Sequence, residues 1–234
     1  MKKNSQPISI IIPVLNEEAT IGCLISHLRS NSSNSNIEEI LVIDGGSTDN
    51  TFEIAKKQGV TVLSSKKGRP KQMNFGAKLA KGNILYFLHA DTLPPKNFDE
   101  YIIKAIEEKH DSGCFRMRFD TNNLILKLFA SLTKINHKAC RGGDQSLYVK
   151  KSVFEQLKGF NEEYLIYEDS EFIGRLYQTT NFTVLSQKVV TSARKYQQNG
   201  TLRLQYHFGV IHLKNLFGAS PKELCSYYEK HILE

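Results

Sequence analysis

Short apolar runs alternate with amphipathic stretches in the first part of the chain, and this alternation restricts the fold to a few architectures. Each run is four to six residues long, which suits a buried strand better than a helix. The predicted strands cover residues 9–14, 40–43, 60–63 and 84–88. Helical periodicity between them predicts parallel βαβ units, and hence an α/β fold with a doubly wound, mostly parallel sheet flanked by helices. Right-handed crossovers then bring the loops after the strands to one edge of the sheet.

The stretch at residues 83–95, NILYFLHADTLPP, ends its strand in an imidazole and a carboxylate. His89 and Asp91 follow the apolar run, and Pro94 and Pro95 fix the loop beyond. Open α/β sheets bind their ligands at this end of the strands. A Mg²⁺ or Mn²⁺ ion on a diphosphate needs only one or two protein carboxylates, because water and substrate supply the other ligands. Asp91 is therefore a candidate metal ligand, and a routine capping carboxylate is the alternative.

Polar residues also follow the other predicted strands. Asn16 has the position of a helix N-cap, with Glu17 and Glu18 in the first turn, where the helix dipole favours acids. Asp44 ends the second strand and is suited to hydrogen-bond a ribose or a base edge, although a capped turn explains the same residue. Arg69 lies in a basic loop and is suited to a base or a phosphate. Taken singly, each of these residues also has a structural explanation.

The second part of the chain mixes its elements less regularly. Predicted helices cover residues 97–109, 124–135, 151–157 and 167–177, and predicted strands cover residues 113–119 and 146–149. The first of these strands alternates in polarity, so we expect it to be half-exposed. The tail at residues 201–217 predicts a helix whose apolar stripe packs inward. Glu168 and Asp169 begin a helix, where acids are favoured, but a carboxylate here also suits a general base that takes a proton from an acceptor hydroxyl.

Charge is unevenly distributed along the 234 residues, which carry a net charge of +7. Between Phe172 and Lys222 there is no acidic residue. Such a segment favours an anionic partner, and a solvated basic face is the equal alternative. Nucleic acid is disfavoured, because the aromatic residues Tyr196, Tyr206 and Phe208 fall partly on the apolar stripe of the tail.

Cysteine usage and the first residues both favour a reducing, cytoplasmic location. The four cysteines are scattered without a CxxC pair, so neither a zinc site nor a disulfide framework is expected. The apolar run at residues 8–15 contains Pro13 and is followed by two acids, which fits neither a signal peptide nor a membrane span.

Four segments, in this order, resemble the motifs of one enzyme family: PVLNEEATI, VIDGGSTDNT, GRPKQMNFGAKLAKGNILYFLHADT and GFNEEYLIYEDSEF. They are similar to family 2 glycosyltransferases of the GT-A fold. HADT, GGDQSLYV and TSARKY resemble more narrowly the bacterial subgroup called radical-SAM/selenodomain-associated transferase 2. The resemblance implies one GT-A-like domain over residues 1–234, with a nucleotide-binding half over about 1–95, a sugar and acceptor half over about 96–200 and a helical tail over about 201–234.

The resemblance also implies an activity and a set of roles. The activity is inverting transfer of one sugar from a UDP- or GDP-linked donor to an acceptor hydroxyl, with Mn²⁺ or Mg²⁺. The nucleotide would be surrounded by Pro13, Asn16, Glu17, Asp44 and Arg69. Asp91 would hold the metal, with His89 as an additional weak ligand, and Asp169 would be the base. The sugar and acceptor side would consist of Gly142, Gly143, Asp144 and Glu168, and the phosphate clamp of Arg194 and Lys195.

Two departures from the family pattern leave alternatives open. The usual DxD motif is here His89-Ala90-Asp91, so an imidazole replaces the first carboxylate. This replacement is the best argument for a catalytically inactive nucleotide-sugar-binding protein. The QxxRW signature of processive synthases is absent, which favours transfer of a single sugar. A nucleotidyltransferase is the other alternative, but it would favour a glycine-rich phosphate loop after the first strand.

The unknown acceptor adds a further hypothesis, which concerns a membrane. The predicted helices at residues 124–135 and 202–217 combine apolar and basic residues. Such helices are suited to dock peripherally on the inner face of an anionic membrane, beside a lipid-linked acceptor.

Overall fold

The computed structural model describes residues 7–233 and places a single eight-stranded sheet at the centre of the molecule. The strands are β1 (Ile8–Val14), β2 (Ile37–Asp44), β3 (Thr61–Ser64), β4 (Ile84–Phe87), β5 (Thr92–Leu93), β6 (Ser112–Phe119), β7 (Leu147–Lys150) and β8 (Thr183–Thr191). The helices are α1 (Ile21–Asn31), α2 (Thr51–Lys57), α3 (Arg69–Leu79), α4 (Phe98–Glu107), α5 (Leu124–Leu132), α6 (Lys151–Gln156), α7 (Glu168–Thr179), α8 (Arg194–Asn199), α9 (Thr201–Leu216) and α10 (Pro221–Tyr228). The strand order in the sheet is β3-β2-β1-β4-β7-β6-β8-β5.

The first half of the chain forms the parallel part of the sheet, as the alternation of strands and helices predicts. Strands β3, β2, β1 and β4 lie side by side and are all parallel. Every residue of β1 and β4 is buried, because helices cover both faces of this part of the sheet. The register pairs Val14 with Asp44 and Asp44 with Ser64, so three strands end in one row. The loops after them therefore meet at one edge.

The second half of the chain adds the mixed part of the sheet. Strand β7 is antiparallel to β4 and β6, whereas β8 is parallel to β6 and antiparallel to β5. The expectation that β6 is half-exposed is wrong, since Arg118 is its only exposed residue. Apolar clusters cover both faces of this strand, with Phe115 in one cluster and Cys114 in the other.

Two apolar cores, one on each face of the sheet, support the edge where the loops meet. Alternate residues of a strand point to opposite faces, so Ile10 and Tyr86 pack in the core that contains α1 and α4 residues. Their sequence neighbours Ile11 and Phe87 pack in the core that contains α3 and α7 residues. The strand ends thus rest on a closely packed support on both sides.

Helix α1 begins later than the sequence predicts. Asn16 is not its N-cap, because the helix starts at Ile21 and Thr20 occupies the N-cap position. Asn16 instead adopts a left-handed conformation with φ 55°, and its side chain accepts a hydrogen bond from the Thr48 N–H. The contacts of the loop, rather than the start of a helix, decide the conformation of this residue.

The tail also differs from expectation. The apolar stripe of α9 does not pack inward: Leu202, Tyr206 and Phe217 are each more than two-thirds exposed. The opposite side of the helix is the buried one, and it contributes Leu204 and Ile211 to the core. Among the described residues, none of the helices has both the length and the apolar character needed to cross a bilayer.

Candidate active site

The loops after β1 and β2 are fastened to each other at the edge of the sheet. The side-chain oxygen of Asn16 accepts a hydrogen bond from the Thr48 N–H at 2.8 Å, and the Asn16 N–H donates to the Ser47 hydroxyl at 2.9 Å. The Glu17 N–H donates to the Thr51 hydroxyl at 2.7 Å. These bonds join residues more than 30 positions apart in sequence. The two loops therefore form one rim, which begins directly after the buried Pro13 of β1.

Asp44 is buried at the end of β2, and its carboxylate is engaged within its own loop. It accepts hydrogen bonds from the Gly46 N–H at 3.0 Å, from the Ser47 N–H at 3.1 Å and from the Ser47 hydroxyl at 2.5 Å. The capped turn that the sequence offered as an alternative is therefore present. A nucleotide would have to approach a carboxylate that already has three donors.

A buried glutamine, which the sequence did not mark, ties the ends of β1 and β2 together. The amide nitrogen of Gln72 donates to the Val14 carbonyl at 2.8 Å and to the Ile43 carbonyl at 2.7 Å. A Cβ at Gly45 would lie 2.9 Å from the amide oxygen of Gln72, which explains the glycine after Asp44. Gln72 lies within one of the family-like motifs, but the motif does not show where its side chain points, so only the three-dimensional structure identifies its role.

At the centre of the site, His89 lies between two carboxylates. Its Nδ1 is 3.7 Å from Oδ1 of Asp144, and its Nε2 is 3.7 Å from Oδ2 of Asp169. The loop after β4 supplies the histidine, the 3₁₀ segment Gly143–Gln145 supplies Asp144, and the first turn of α7 supplies Asp169. Three residues that the sequence assigned to one site are thus in close proximity.

Burial and neighbouring charges change the protonation of this cluster. Burial and the adjacent Glu168 carboxylate raise the pKa of Asp169 to about 6, against the lowering effect of His89 and Arg69. Burial and Arg69 lower the pKa of His89, but the carboxylates of Asp144 and Asp169 outweigh them and raise it. Desolvation opposes ionisation of Asp144, but His89 and Arg69 lower its pKa overall. Asp169 is therefore ionised at neutral pH and is still basic enough to take a proton.

An ion pair between Arg69 and Glu168 closes one side of the cluster. The guanidinium Nη1 is 3.0 Å from Oε1 of Glu168, whose side chain is buried, whereas the Arg69 side chain is 48% exposed. Arg69 begins α3 and Glu168 begins α7, so the two helices meet at this contact. A guanidinium has five N–H donors, so Arg69 can bind an anionic ligand and keep its contact with Glu168.

The neighbouring glycines Gly142 and Gly143 have different surroundings. A Cβ at Gly143 would overlap the Asp169 carboxylate and would lie 2.6 Å from Cε1 of His89. A Cβ at Gly142 would have no atom within 4 Å. Of the two glycines, only Gly143 is therefore required for the close approach of the 3₁₀ segment to the Asp169 carboxylate and the His89 imidazole.

Asp91 lies beside this cluster with a partly exposed carboxylate. Within residues 7–233, its side chain has one long hydrogen bond, from the Thr92 hydroxyl at 3.5 Å. No group of three or more His, Cys, Asp or Glu side chains in the same range is arranged to hold a metal. A Mg²⁺ or Mn²⁺ ion held mainly by a diphosphate and water needs only one or two protein carboxylates, and Asp91 offers one.

Arg194 and Lys195, the first two residues of α8, contact different parts of the protein. One guanidinium nitrogen of Arg194 lies 3.2 and 3.3 Å from the two carboxylate oxygens of Glu17 in the β1 loop. The ammonium of Lys195 donates to the Tyr228 hydroxyl and lies 5.9 Å from the centre of the Phe208 ring. Arg194 thus contacts the rim, whereas Lys195 is engaged with the helical tail.

A buried arginine, also unmarked by the sequence, holds the segment that carries Asp144. Arg141 donates to the Gln145 side chain at 2.6 Å, to the Thr133 carbonyl at 2.9 Å and to the Ile135 carbonyl. Because it joins the end of α5 to the 3₁₀ segment, Arg141 positions one wall of the site. In the sequence Arg141 is one of several basic residues in this segment, so its structural role is not apparent there.

Comparison with known proteins identifies a family whose sequence pattern covers most of this chain. The family model described as Glycosyl transferase family 2 matches residues 9–168. An uncharacterized glycosyltransferase of Haemophilus influenzae is 25% identical over 194 residues, which are 75% of this chain and 64% of that protein. The chain spans between 36% and 64% of the length of the first known relatives that it matches.

Solved structures show the same fold at low sequence identity. S. aureus TarS 1-349 in complex with UDP-GlcNAc has a TM-score of 0.64 at 21% identity, over 80% of this chain and 58% of that one. Glucosyl-3-phosphoglycerate synthase from Mycobacterium tuberculosis, in complex with Mn²⁺, UDP and glucosyl-3-phosphoglycerate, has a TM-score of 0.60 at 16% identity, over 80% of this chain and 71% of that one. The GT-A-like fold expected from the sequence is confirmed. With a family model that matches most of its length, the chain belongs to glycosyltransferase family 2.

Proposed function

We propose that this protein transfers a single sugar from a nucleotide-diphosphate donor to an acceptor hydroxyl, with inversion and with the help of a divalent metal. The observation that carries the proposal is the buried Asp169 carboxylate, whose pKa is raised to about 6 and which lies 3.7 Å from His89 at the ligand-binding edge of the sheet. Its family membership supports the same activity. The chain covers only part of its relatives, so the activity is inferred from the site itself.

The rim formed by the β1 and β2 loops would hold the nucleotide. Asn16 and Glu17 belong to this rim, Pro13 and Asp44 lie at the strand ends beside it, and the Arg69 side chain is nearly half exposed. TarS and glucosyl-3-phosphoglycerate synthase have both been crystallised with UDP. UDP-sugars are therefore the first donors to test, and GDP-sugars the second.

Asp91 would hold the metal, with His89 as an additional weak ligand, and Mn²⁺ or Mg²⁺ would neutralise charge on the departing diphosphate. Both ions occur with glucosyl-3-phosphoglycerate synthase in its solved structures. Arg194 and Lys195 would add positive charge to the same phosphates. For Arg194 this means exchanging its contact with Glu17 for one with the donor.

Asp169 would remove the proton of the acceptor hydroxyl. As the acceptor oxygen bonds to the anomeric carbon, the bond from that carbon to the diphosphate oxygen breaks, and the diphosphate leaves with the electron pair. Attack opposite the leaving group inverts the anomeric centre. Gly142, Gly143, Asp144 and Glu168 would line the sugar and acceptor side, and Glu168 would also keep Arg69 in position.

Finer assignments follow from the same reasoning. Residues 1–95 approximately would bind the nucleotide, residues 96–200 the sugar and acceptor, and the helical tail from residue 201 would complete the single domain. The motifs HADT, GGDQSLYV and TSARKY support membership of the radical-SAM/selenodomain-associated transferase 2 subgroup. A lipid-linked acceptor is proposed because α5 and α9 expose apolar rows. Cytoplasmic location stays a prediction from the sequence.

The function is tested by incubating purified protein with UDP- and GDP-sugars, Mn²⁺ and an acceptor panel, and by measuring release of the nucleoside diphosphate. Asp91→Ala and Asp169→Asn are each expected to lower turnover by about 100-fold or more, since each removes a group that acts in the transition state. Glu108→Gln, which neutralises an exposed acid directly after α4, should retain full activity. Wild-type turnover in both site variants would overturn the mechanism.

The inactive nucleotide-sugar-binding protein is kept as a second candidate because His89 replaces a carboxylate beside Asp91. It predicts donor binding without turnover across the acceptor panel, which calorimetry with UDP-sugars would detect. A nucleotidyltransferase is less well supported, since the loop after β1 has no glycine and its Asn16 and Glu17 are fastened to the β2 loop.

A further inference from the structure

Two helices, α5 and α9, present rows of large apolar side chains to solvent. On α5, Leu124 is 79% exposed and Leu128 is 63% exposed, and on α9 Leu216 is 76% exposed. Phe217, directly after α9, is 85% exposed. Soluble monomeric proteins rarely leave apolar side chains contiguous on this scale unless the surface binds something.

The exposed row of α9 forms one continuous face. Leu202, Tyr206, Leu213 and Leu216 recur at spacings of four, seven and three, which places them on one side of the helix. At 1.5 Å per residue, the row from Leu202 to Leu216 is about 20 Å long. The buried side of the same helix is already occupied by core contacts. The exposed row is therefore not needed to fold the domain.

The rows of α5 and α9 begin at the same place in the molecule. The side-chain amide of Asn123, the N-cap of α5, donates to the Thr201 hydroxyl at the start of α9 at 3.3 Å. Leu124 and Leu202, both strongly exposed, are the next residues along the two helices. The two apolar rows therefore begin side by side, and we call the surface that they present together the α5–α9 surface.

Basic charges predominate on this surface, and the nearest acids along the chain are Asp120 before α5 and Glu223 on α10. Residues 121–143 contain no acidic residue, and neither do residues 172–222. Lys127 is exposed on α5, Lys134 is exposed just beyond its end, and Arg203 is exposed on α9. An apolar face bordered by lysine and arginine is the pattern of a helix that lies in the interface of an anionic membrane.

We propose that the α5–α9 surface docks on a bilayer that contains anionic lipids. The basic border attracts the headgroups, and the leucine and phenylalanine side chains enter the boundary between headgroups and acyl chains. A second copy of this chain fits less well, since a two-fold contact through this surface would place basic groups opposite basic groups.

The docking surface is also linked to the candidate active site. The Tyr167 hydroxyl lies 2.9 Å from Nδ1 of His212 on α9, and Tyr167 directly precedes Glu168 and Asp169. A bilayer at α9 would therefore lie next to the segment that carries the base. This link to a lipid-linked acceptor rests on the proposed function, whereas docking itself does not.

Docking is tested by sedimentation of the full chain with vesicles of phosphatidylcholine alone, or with about a third of phosphatidylglycerol, at low and high salt. We expect binding to the anionic vesicles at low salt, and weakening at high salt because the headgroup attraction is screened. Leu216→Ser with Phe217→Ser, and Lys127→Glu with Lys134→Glu, should each weaken binding by about tenfold or more.

Matched controls keep this test specific. Leu79→Ser changes an exposed leucine on α3, and Lys56→Glu with Lys57→Glu makes the same charge change on α2. Both should bind as the unchanged protein does.

Absence of binding to anionic vesicles at low salt would overturn the proposal. So would a vesicle-free dimer that Leu216→Ser with Phe217→Ser converts to monomer, because the surface would then be an interface between copies. Donor turnover is measured separately, so loss of docking and loss of transferase activity remain distinguishable.

Discussion

Gly143 permits a close approach of three elements at the centre of the site. Its missing side chain leaves room for the Asp169 carboxylate and for the His89 ring, which come from α7 and from the loop after β4. The sequence resemblance assigned Gly142 and Gly143 the same role. Only the three-dimensional structure distinguishes the roles of the two glycines, because the distinction depends on distances between segments that are far apart in the chain.

Gly143→Ala is expected to displace Asp169 and His89 and to lower turnover by at least about tenfold, because misplacement of a reacting group by a fraction of an ångström to 1 Å is costly. Gly142→Ala is the matched control, since its Cβ would enter open space. The measurement is kcat and KM on a confirmed donor and acceptor. Equal effects of the two alanines would contradict this account of the turn.

The pKa of Asp169 predicts how activity depends on pH. The base must be ionised to accept a proton, so kcat/KM should fall as pH decreases through about 6 and should be level just above neutrality. A pH profile between 5 and 8, roughly the range that brackets this pKa, measures the effect. An acid limb near pH 4, the ordinary range of a carboxyl, would contradict the assignment of Asp169 as the base.

The same pKa has an opposite consequence for stability. The folded pKa of Asp169, about 6, lies above its ordinary value of 3.8, so the folded state binds the proton more tightly than the unfolded state. Stability therefore decreases as pH rises through this interval, and at neutral pH the ionised carboxylate destabilises the fold. Asp169→Asn should raise the free energy of unfolding at pH 7 by up to ~3 kcal/mol, measured by denaturant titration, while it removes activity. A less stable variant would contradict this.

At the scale of helices and strands, the sequence predicted those elements whose apolar residues follow a clear pattern. The four strands of the parallel half were predicted close to their observed bounds, because buried parallel strands are continuous apolar runs. Strand β5 has only two residues, and β8 has few buried positions, so neither has a strong pattern. The start of α1 was wrong because Asn16 serves a loop, not a cap.

Gln72 links two strands, because its side-chain amide donates hydrogen bonds to carbonyls at the ends of β1 and β2. Gln72→Leu should lower the free energy of unfolding by about 2 kcal/mol, because both carbonyls lose a buried donor. Gln156→Leu, at an exposed position on α6, is the control and should change stability little. Denaturant unfolding measures both variants. An unchanged midpoint for Gln72→Leu would show that the bridge contributes no stability.

At the scale of the whole molecule, the site is assembled from segments between Pro13 and Lys195. The resemblance to a family placed residues on this list because motifs survive in the sequence. It did not reveal the roles of Gln72 and Arg141: Gln72 lies inside one of the motifs and Arg141 directly precedes another, but a motif does not show which of its side chains position others. Nor did it reveal which of Arg194 and Lys195 contacts the rim, because neighbours on a helix point in different directions.

This difference between the two cations can be measured. Arg194→Ala should raise the KM for the donor by about tenfold, because it removes a charge that contacts the nucleotide rim. Lys195→Ala should affect the donor KM less and should lower the Tm instead, since its ammonium lies between Tyr228 and Phe208. Steady-state kinetics and thermal unfolding of both variants give the comparison. The reverse pattern would assign the clamp to Lys195.

Glu17 and Arg194 contact each other although they are 177 positions apart in the sequence, so the ribosome makes them at very different times. During translation the β1 loop leaves the ribosome long before α8 exists, and N-terminal segments fold first. An incomplete chain can form its parallel strands and both loops of the rim, but it lacks the arginine that reaches back to them. If the rim binds the donor as proposed, newly made chains would acquire full affinity for it only after α8 has been translated, and shorter fragments would not compete for it.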